Sequence, residues 1–149
     1  MYRGVREFEQ AVPPEALLGV VWDVRAYPEF VRGVKRVEVL EESERAAQAR
    51  FTASMAGLEF EYVLEMTRDE REVRWQRVSG SFKDAGGRMT HLGGKRFRYE
   101  NWLDPGFHVP DFAVRLVLER NLPRLIREFQ DRATAAAARA AAGRGRAPS

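Results

Sequence analysis

Residues 58–66 read Leu-Glu-Phe-Glu-Tyr-Val-Leu-Glu-Met, the clearest two-residue alternation in the chain. Leu58, Phe60, Tyr62, Leu64 and Met66 share one face of a strand, while Glu59, Glu61 and Glu65 take the other. A strand with one apolar and one charged face belongs to an antiparallel sheet with one side in water. The same alternation recurs on both sides of it. Upstream, Ala47, Ala49, Phe51 and Ala53 alternate with Gln48, Arg50 and Thr52, and Gly57 marks the turn. Val34 to Leu40 gives a further strand before these. Downstream, Val73 and Trp75 alternate with Glu72, Arg74 and Gln76; Phe97, Tyr99, Asn101 and Leu103 alternate with Arg96, Arg98 and Glu100. Ser81 to Leu92 holds one more strand, punctuated by Gly86-Gly87 and closed by a Gly93-Gly94 turn.

The two ends of the chain read differently. Residues 2–10 form a weaker strand. Pro13-Pro14-Glu15 starts a helix, since proline suits the first turn and an acid complements the dipole there. Leu17, Leu18, Val21 and Trp22 make its apolar face. Pro28 opens a second short helix carrying Phe30 and Val31, and Gly33 ends it. After Asp104-Pro105-Gly106 the period becomes helical. Val109, Phe112, Ala113, Leu116 and Val117 form one stripe; Leu118, Leu122, Leu125, Ile126 and Phe129 continue it, rotated. Pro123 should kink or split this helix near Glu119. The order predicted is a strand, two short helices, about six antiparallel strands and a long C-terminal helix. A helix is about 10 Å across, narrower than six or seven strands at about 4.8 Å each. It covers only part of the apolar sheet face, and a cavity remains.

Composition sets the bounds. The chain has 149 residues, 44% hydrophobic and 32% charged, which is one globular domain. Zero cysteines exclude disulfides, thiolate metal sites and cysteine nucleophiles. Met1 to Gln10 lacks an apolar core for a secretory signal, and no apolar run reaches 18 residues. We therefore expect a cytoplasmic protein without a transmembrane segment, which leaves peripheral membrane contact open. Of 25 basic residues, Arg139, Arg144 and Arg146 lie in residues 133–149, which hold no acid. The rest of the chain balances, 22 basic against 22 acidic. Residues 1–132 are read as the folded domain and 133–149 as an Ala/Arg/Gly-rich tail, frayed helix or disordered. A neutral body argues against a sequence-reading nucleic-acid groove.

One stretch, residues 21–42 (VWDVRAYPEFVRGVKRVEVLEE), placed after the first strand, resembles a known family. Pro14-Glu15, Trp22-Asp23 and Tyr27-Pro28-x-Phe30 match, as do Trp75, Gly80-x-Phe82, Gly86-Gly87, Val109-Pro110 and Leu122-Pro123. Together they resemble the polyketide cyclase/dehydrase-like (SRPBCC) branch of the START/Bet v 1 helix-grip superfamily. That resemblance implies an α+β helix-grip fold, a curved antiparallel sheet of six to seven strands wrapped on the last helix. The superfamily includes lipid carriers, aromatase/cyclases, coenzyme Q-binding proteins and a ribosome-associated toxin, so the frame does not choose among them. Where the coenzyme Q and toxin branch continues into proline-aromatic-cysteine, this chain has Val31-Arg32-Gly33.

Catalytic signatures are scarce. No Gly-x-Ser-x-Gly or Gly-x-Gly-x-x-Gly occurs, and Gly94-Lys95 is followed by Arg96 rather than a hydroxyl residue. His91 and His108 are isolated, so neither a metal site nor any other cofactor is expected. Glu59, Glu61 and Glu65 read as a solvated face rather than paired acids. The aromatic set Phe51, Phe60, Tyr62, Trp75, Phe97, Tyr99, Phe112, with Leu116, reads as core or as the wall of a ligand cavity. Tyr62, Tyr99 and Asn101 lie on the apolar phase of their strands, as does Arg77 after Trp75. Their polar atoms should face inward and need partners, which a ligand can supply. The first reading is a binder or carrier of a hydrophobic small molecule such as a polyketide, isoprenoid or lipid. The alternatives are a polyketide aromatase/cyclase and a ribosome-associated or other protein-interaction module.

Overall fold

The alternating segments become seven strands in one antiparallel sheet: β1 (Tyr2–Glu9), β2 (Val34–Glu42), β3 (Ala46–Met55), β4 (Leu58–Arg68), β5 (Glu72–Gly80), β6 (Asp84–Gly93) and β7 (Arg96–Asp104). The computed structural model describes residues 1–55 and 57–145, without the side chains of Met55, Val114, Leu116, Val117, Leu118, Arg144 and the position of Gly145 relative to solvent. Consecutive strands β2 to β7 pair as hairpins, and β1 adds to β7, giving the order β1-β7-β6-β5-β4-β3-β2. The chain crosses from one edge strand to the other through α1 (Pro14–Trp22), a 3-10 turn (Val24–Ala26) and α2 (Tyr27–Phe30). The last segment comprises α3 (Asp111–Leu116), a π turn (Val117–Asn121) and α4 (Leu122–Gly145). The strands and long C-terminal helix expected from the alternation are found, in the helix-grip arrangement that the resemblance implied.

Pairing register fixes which residues face the helix. Phe51 opposes Tyr62 and Ala49 opposes Leu64, so the apolar phases of β3 and β4 coincide. Trp75 opposes Gly87, which in turn opposes Asn101. A Cβ on Gly87 would lie 2.5 Å from the Trp75 ring and 2.6 Å from the Glu100 carbonyl oxygen. Glycine is needed there for space, because the indole lies over its backbone. The opposite face is solvated, as the alternating glutamates foretold. Glu59 pairs with Lys35 at 3.2 Å and Glu61 with Arg50 at 3.4 Å. On the same face the Arg88 guanidinium donates to Glu100 at 2.7 Å and holds its carboxyl below the usual range.

Proline 123 acts as expected. Its missing N–H and its ring disrupt the preceding turn, and the i→i+5 turn at Val117–Asn121 absorbs the break. Beyond it, Leu122, Ile126, Phe129 and Ala133 are buried at spacings of four, three and four. Burial of a side chain such as Ile126 or Phe129 contributes about 1.5–3 kcal/mol. The helix does not stop at Arg132: Ala133 is fully buried and α4 runs through the alanines to Gly145. The alanines let α1 and α4 approach, and Gln10 ties β1's end to this helix through the Gln130 carbonyl at 2.8 Å.

Candidate functional site

The concave face is filled at one end and hollow at the other. Leu17 and Val21 of α1 fill the first end, over Val73, Met89 and Phe97, each at most 1% exposed. Toward the other end, the same strands present Trp75, Gly87 and Tyr99, then Ala85 and Asn101. Here α4's first turns cross the groove, and a cavity of about 280 Å³ opens beneath Leu122 and Leu125. An inner chamber of about 150 Å³ adjoins it, walled by Phe51, Met66, Tyr27 and Phe129. Val31, Tyr62, Leu64, Trp75, Tyr99 and Leu125 border both chambers.

Aromatic rings line the path from mouth to floor. Phe60 stacks on Phe82 at 5.0 Å, Phe82 meets Tyr62 at 5.5 Å, and Tyr62 stacks on Phe51 at 5.4 Å. Trp75 lies 5.7 Å from Tyr99, which approaches Phe129 at 6.4 Å. Such pairs add about 0.5–1.5 kcal/mol each beyond area burial, so the wall is stiff. Phe82 holds its place with φ at +76°, a left-handed backbone that costs about 1–3 kcal/mol in a non-glycine residue. Two residues before it Gly80 stands at φ +95°, at the end of β5, and the strand itself bulges at Val78, between Arg77 and Ser79.

The polar tips are few. Among the described residues, the Tyr62 and Tyr99 hydroxyls take no hydrogen-bond partner, whereas Tyr27 donates to the Val21 carbonyl at 2.5 Å. Burial pushes the Tyr62 phenol up to about 12 and raises Tyr99 further, with Tyr62 adding to the latter. Both are protonated at neutral pH and can donate to a ligand oxygen. Asn101, Asn121, Arg124 and Glu128 border the outer chamber only. The arrangement buries an apolar molecule and offers it a few fixed hydrogen bonds. A larger and more open hollow of about 430 Å³ is walled by Arg45, Asp69, Glu70, Arg71, Glu72 and Thr90, none of them an apolar residue.

The expected residues divide. Phe51, Phe60, Tyr62, Trp75, Tyr99 and Asn101 line one or other chamber. Phe97 belongs to the filled end, stacked on Phe8 at 5.7 Å. Arg77 donates to the Gly80 carbonyl at 2.8 Å and ties off its own strand rather than lining the cavity. Phe112 is a correction: it stands in the first turn of α3 and is 75% exposed, since α3 packs mainly against the π turn that follows it rather than on the sheet. The Leu116 side chain lies outside the described residues. The sequence reading missed Phe82, Arg124 and Glu128 as site residues; the Gly80-x-Phe82 spacing was the one available signal. His91 meets the Gly94 carbonyl at 2.9 Å and His108 is exposed; among the described residues no three His, Asp or Glu cluster as a metal site. Among those residues, too, no helix is long and apolar enough to cross a membrane.

Comparison with known proteins agrees with this fold. Residues 11–130 match the family described as polyketide cyclase / dehydrase and lipid transport. No curated protein sequence matches the chain. Among solved structures, a START superfamily protein from Mycobacterium smegmatis superposes with a TM-score of 0.75 at 17% identity, over 90% of this chain and 98% of that one. The Zhui aromatase/cyclase from Streptomyces sp. R1128 gives 0.69 at 18% identity, over 92% and 93%. A STAR-related lipid transfer protein from Xanthomonas axonopodis gives 0.73 at 16% identity, over 87% and 84%. At these identities the structures share a fold. With the family match across residues 11–130, the chain belongs to the polyketide cyclase/dehydrase and lipid transport family, and it shares the fold of the START superfamily protein.

Proposed function

We propose that the protein binds or carries a hydrophobic small molecule, a polyketide, isoprenoid or lipid, between the sheet and α4. The observation that carries this reading is the pair of adjoining chambers, about 280 and 150 Å³, walled by Tyr62, Trp75 and Tyr99. Removing an apolar body from water there supplies about 25 cal/mol for each Å² buried. Native mass spectrometry of freshly purified protein, followed by solvent extraction, tests it. A co-purifying apolar molecule, or uptake of added fatty acid, quinone or polyketide mimic, is the expected result. Failure of all of these would sink the carrier reading and favour a protein-interaction role.

A second reading, polyketide aromatase/cyclase, draws support from the two protonated phenols at the cavity and from the family description. A shaped pocket that holds a chain folded accelerates ring closure by orientation, with the phenols as donors to carbonyl oxygens. A carrier returns its ligand unchanged; a cyclase releases an altered product. Tyr99→Phe should then lower turnover while leaving apolar binding intact. Unchanged turnover would remove the proton role of Tyr99.

A further inference from the structure

The two edges of the sheet are finished differently. β2, at one edge, shifts register between Val34 and Arg36 and again between Val39 and Glu41, and α2 packs against it. Bulges and a helical cover blunt an edge against further pairing. β1, at the other edge, pairs with β7 along its whole length without a shift, and among the described residues β7 is its main neighbour. The Gln10 N–H donates to the Lys95 carbonyl at 2.8 Å, in the register of these two strands. Alternation then turns the backbone groups of the even-numbered residues toward β7 and those of Arg3, Val5 and Glu7 toward the open edge. Among the described residues, no backbone hydrogen bond reaches those three from outside the sheet. Their side chains share the solvated face with Trp102, and all are exposed, Val5 at 53%.

We propose that the β1 edge docks a second copy of this chain, with the two β1 strands antiparallel about a dyad at Val5. Val5 then meets the partner's Val5, and Arg3 lies opposite the partner's Glu7 on both sides of the dyad. These are the residues whose backbone groups point outward, so each such pair exchanges both its hydrogen bonds. Charged side chains ordinarily keep edges apart. In this register each one meets its opposite, which stabilises a cross-strand pair. Sliding by two residues keeps the bonding phase but sets Arg3, or Glu7, against valine. Both copies use the same edge, so association closes at a dimer rather than a fibre. The contact is small, at or below about 1,200 Å² in total, and the dimer is therefore weak.

Sedimentation velocity of the untagged full chain from about 5 to 500 μM spans the range expected for so small an interface. The wild type should pass from monomer to dimer across it. Arg3→Glu alone and Glu7→Arg alone each set like charges opposite one another and should weaken association about tenfold or more. An equimolar mixture of the two variants should dimerise to within about threefold of the wild type, because each chain then offers the charge the other needs. Neither substitution restores a contact inside its own chain, to Trp102 or Arg96, so recovery in the mixture reports pairing between chains. The chain has no cysteine, which makes Val5→Cys a lone thiol. Across the dyad its Cα lies about 5.5 Å from its counterpart, within reach of a disulfide. Oxidation should link that variant about tenfold faster than Val78→Cys, an exposed position on β5. Circular dichroism verifies that each variant is folded. A monomer at every concentration, or a mixture that associates no better than its components, would overturn the dimer edge and leave the ligand-binding reading standing.

Discussion

Strand β7 carries the two regimes of this molecule within five residues. Phe97, Tyr99 and Asn101 all face the same way, yet Phe97 is sealed under α1, Tyr99 stands at the border and Asn101 reaches the cavity. β6 repeats the progression in Met89, Gly87 and Ala85. The sheet is the same at both ends; what differs is the cover. Two helices, α1 and the far part of α4, meet over Phe97 and Met89, and their side chains fill the groove. Over Asn101 and Ala85, among the described residues, the cover is Asn121 of the π turn and the first turns of α4. The cavity is thus a consequence of topology: α1 is nine residues long and reaches one end of the groove.

Substitutions in pairs sharpen the contrast. Phe97→Ala, at the filled end, should cost about 3–5 kcal/mol in denaturant unfolding, whereas Asn101→Ala at the hollow end should cost under about 1 kcal/mol, as a partly exposed polar side chain. Equal losses would mean that the two ends are packed alike. Enlarging a side chain should show the same asymmetry. Ala49→Leu, in a fully buried position, should destabilise by about 1–3 kcal/mol through overpacking; Ala85→Leu should be accommodated by the cavity with a smaller change in midpoint. Gly87→Ala sits at the border, where the new methyl meets the Trp75 ring and the Glu100 carbonyl. A loss of about 1–3 kcal/mol is expected there, together with a shifted tryptophan emission; an unshifted spectrum would free Trp75 from this contact.

The smallest effect concerns pH. A tyrosine with a raised folded-state value favours folding while protonated, so the contribution is full below about pH 10 and is lost as pH rises toward the folded values of Tyr62, about 12, and of Tyr99 above it. Thermal midpoints should therefore fall more between pH 10 and pH 12 in the wild type than in Tyr62→Phe or Tyr99→Phe. Parallel curves would place those phenols in water.

Much of this was legible in the sequence because a sheet has a strict period of two. Once Phe60, Tyr62 and Leu64 are assigned to one face, Trp75, Tyr99 and Asn101 follow by alternation, and so does the solvated row of glutamates. The helical cover was harder. The stripe from Val109 to Val117 assigned Phe112 to the sheet, but a stripe says which residues share a face and not what covers it, and α3 packs mainly against the following π turn. The π turn adds a residue per turn and re-aims everything after it, so the face of α4 bearing Arg124 and Glu128 does not follow from the preceding stripe. Phe82 escaped for a different reason. It lies in the turn between β5 and β6, with a backbone angle that propensity assigns to glycine, where the two-residue period of a strand no longer says which way a side chain points.

The most direct measurement is apolar ligand uptake by wild type and Ala85→Leu side by side, using native mass spectrometry with dodecanol as probe. A cavity site requires one equivalent bound by the wild type and a loss of about tenfold or more in the variant, since the leucine occupies the space the ligand needs. Equal uptake by both, or none by the wild type, would contradict a ligand site in the hollow half of the sheet.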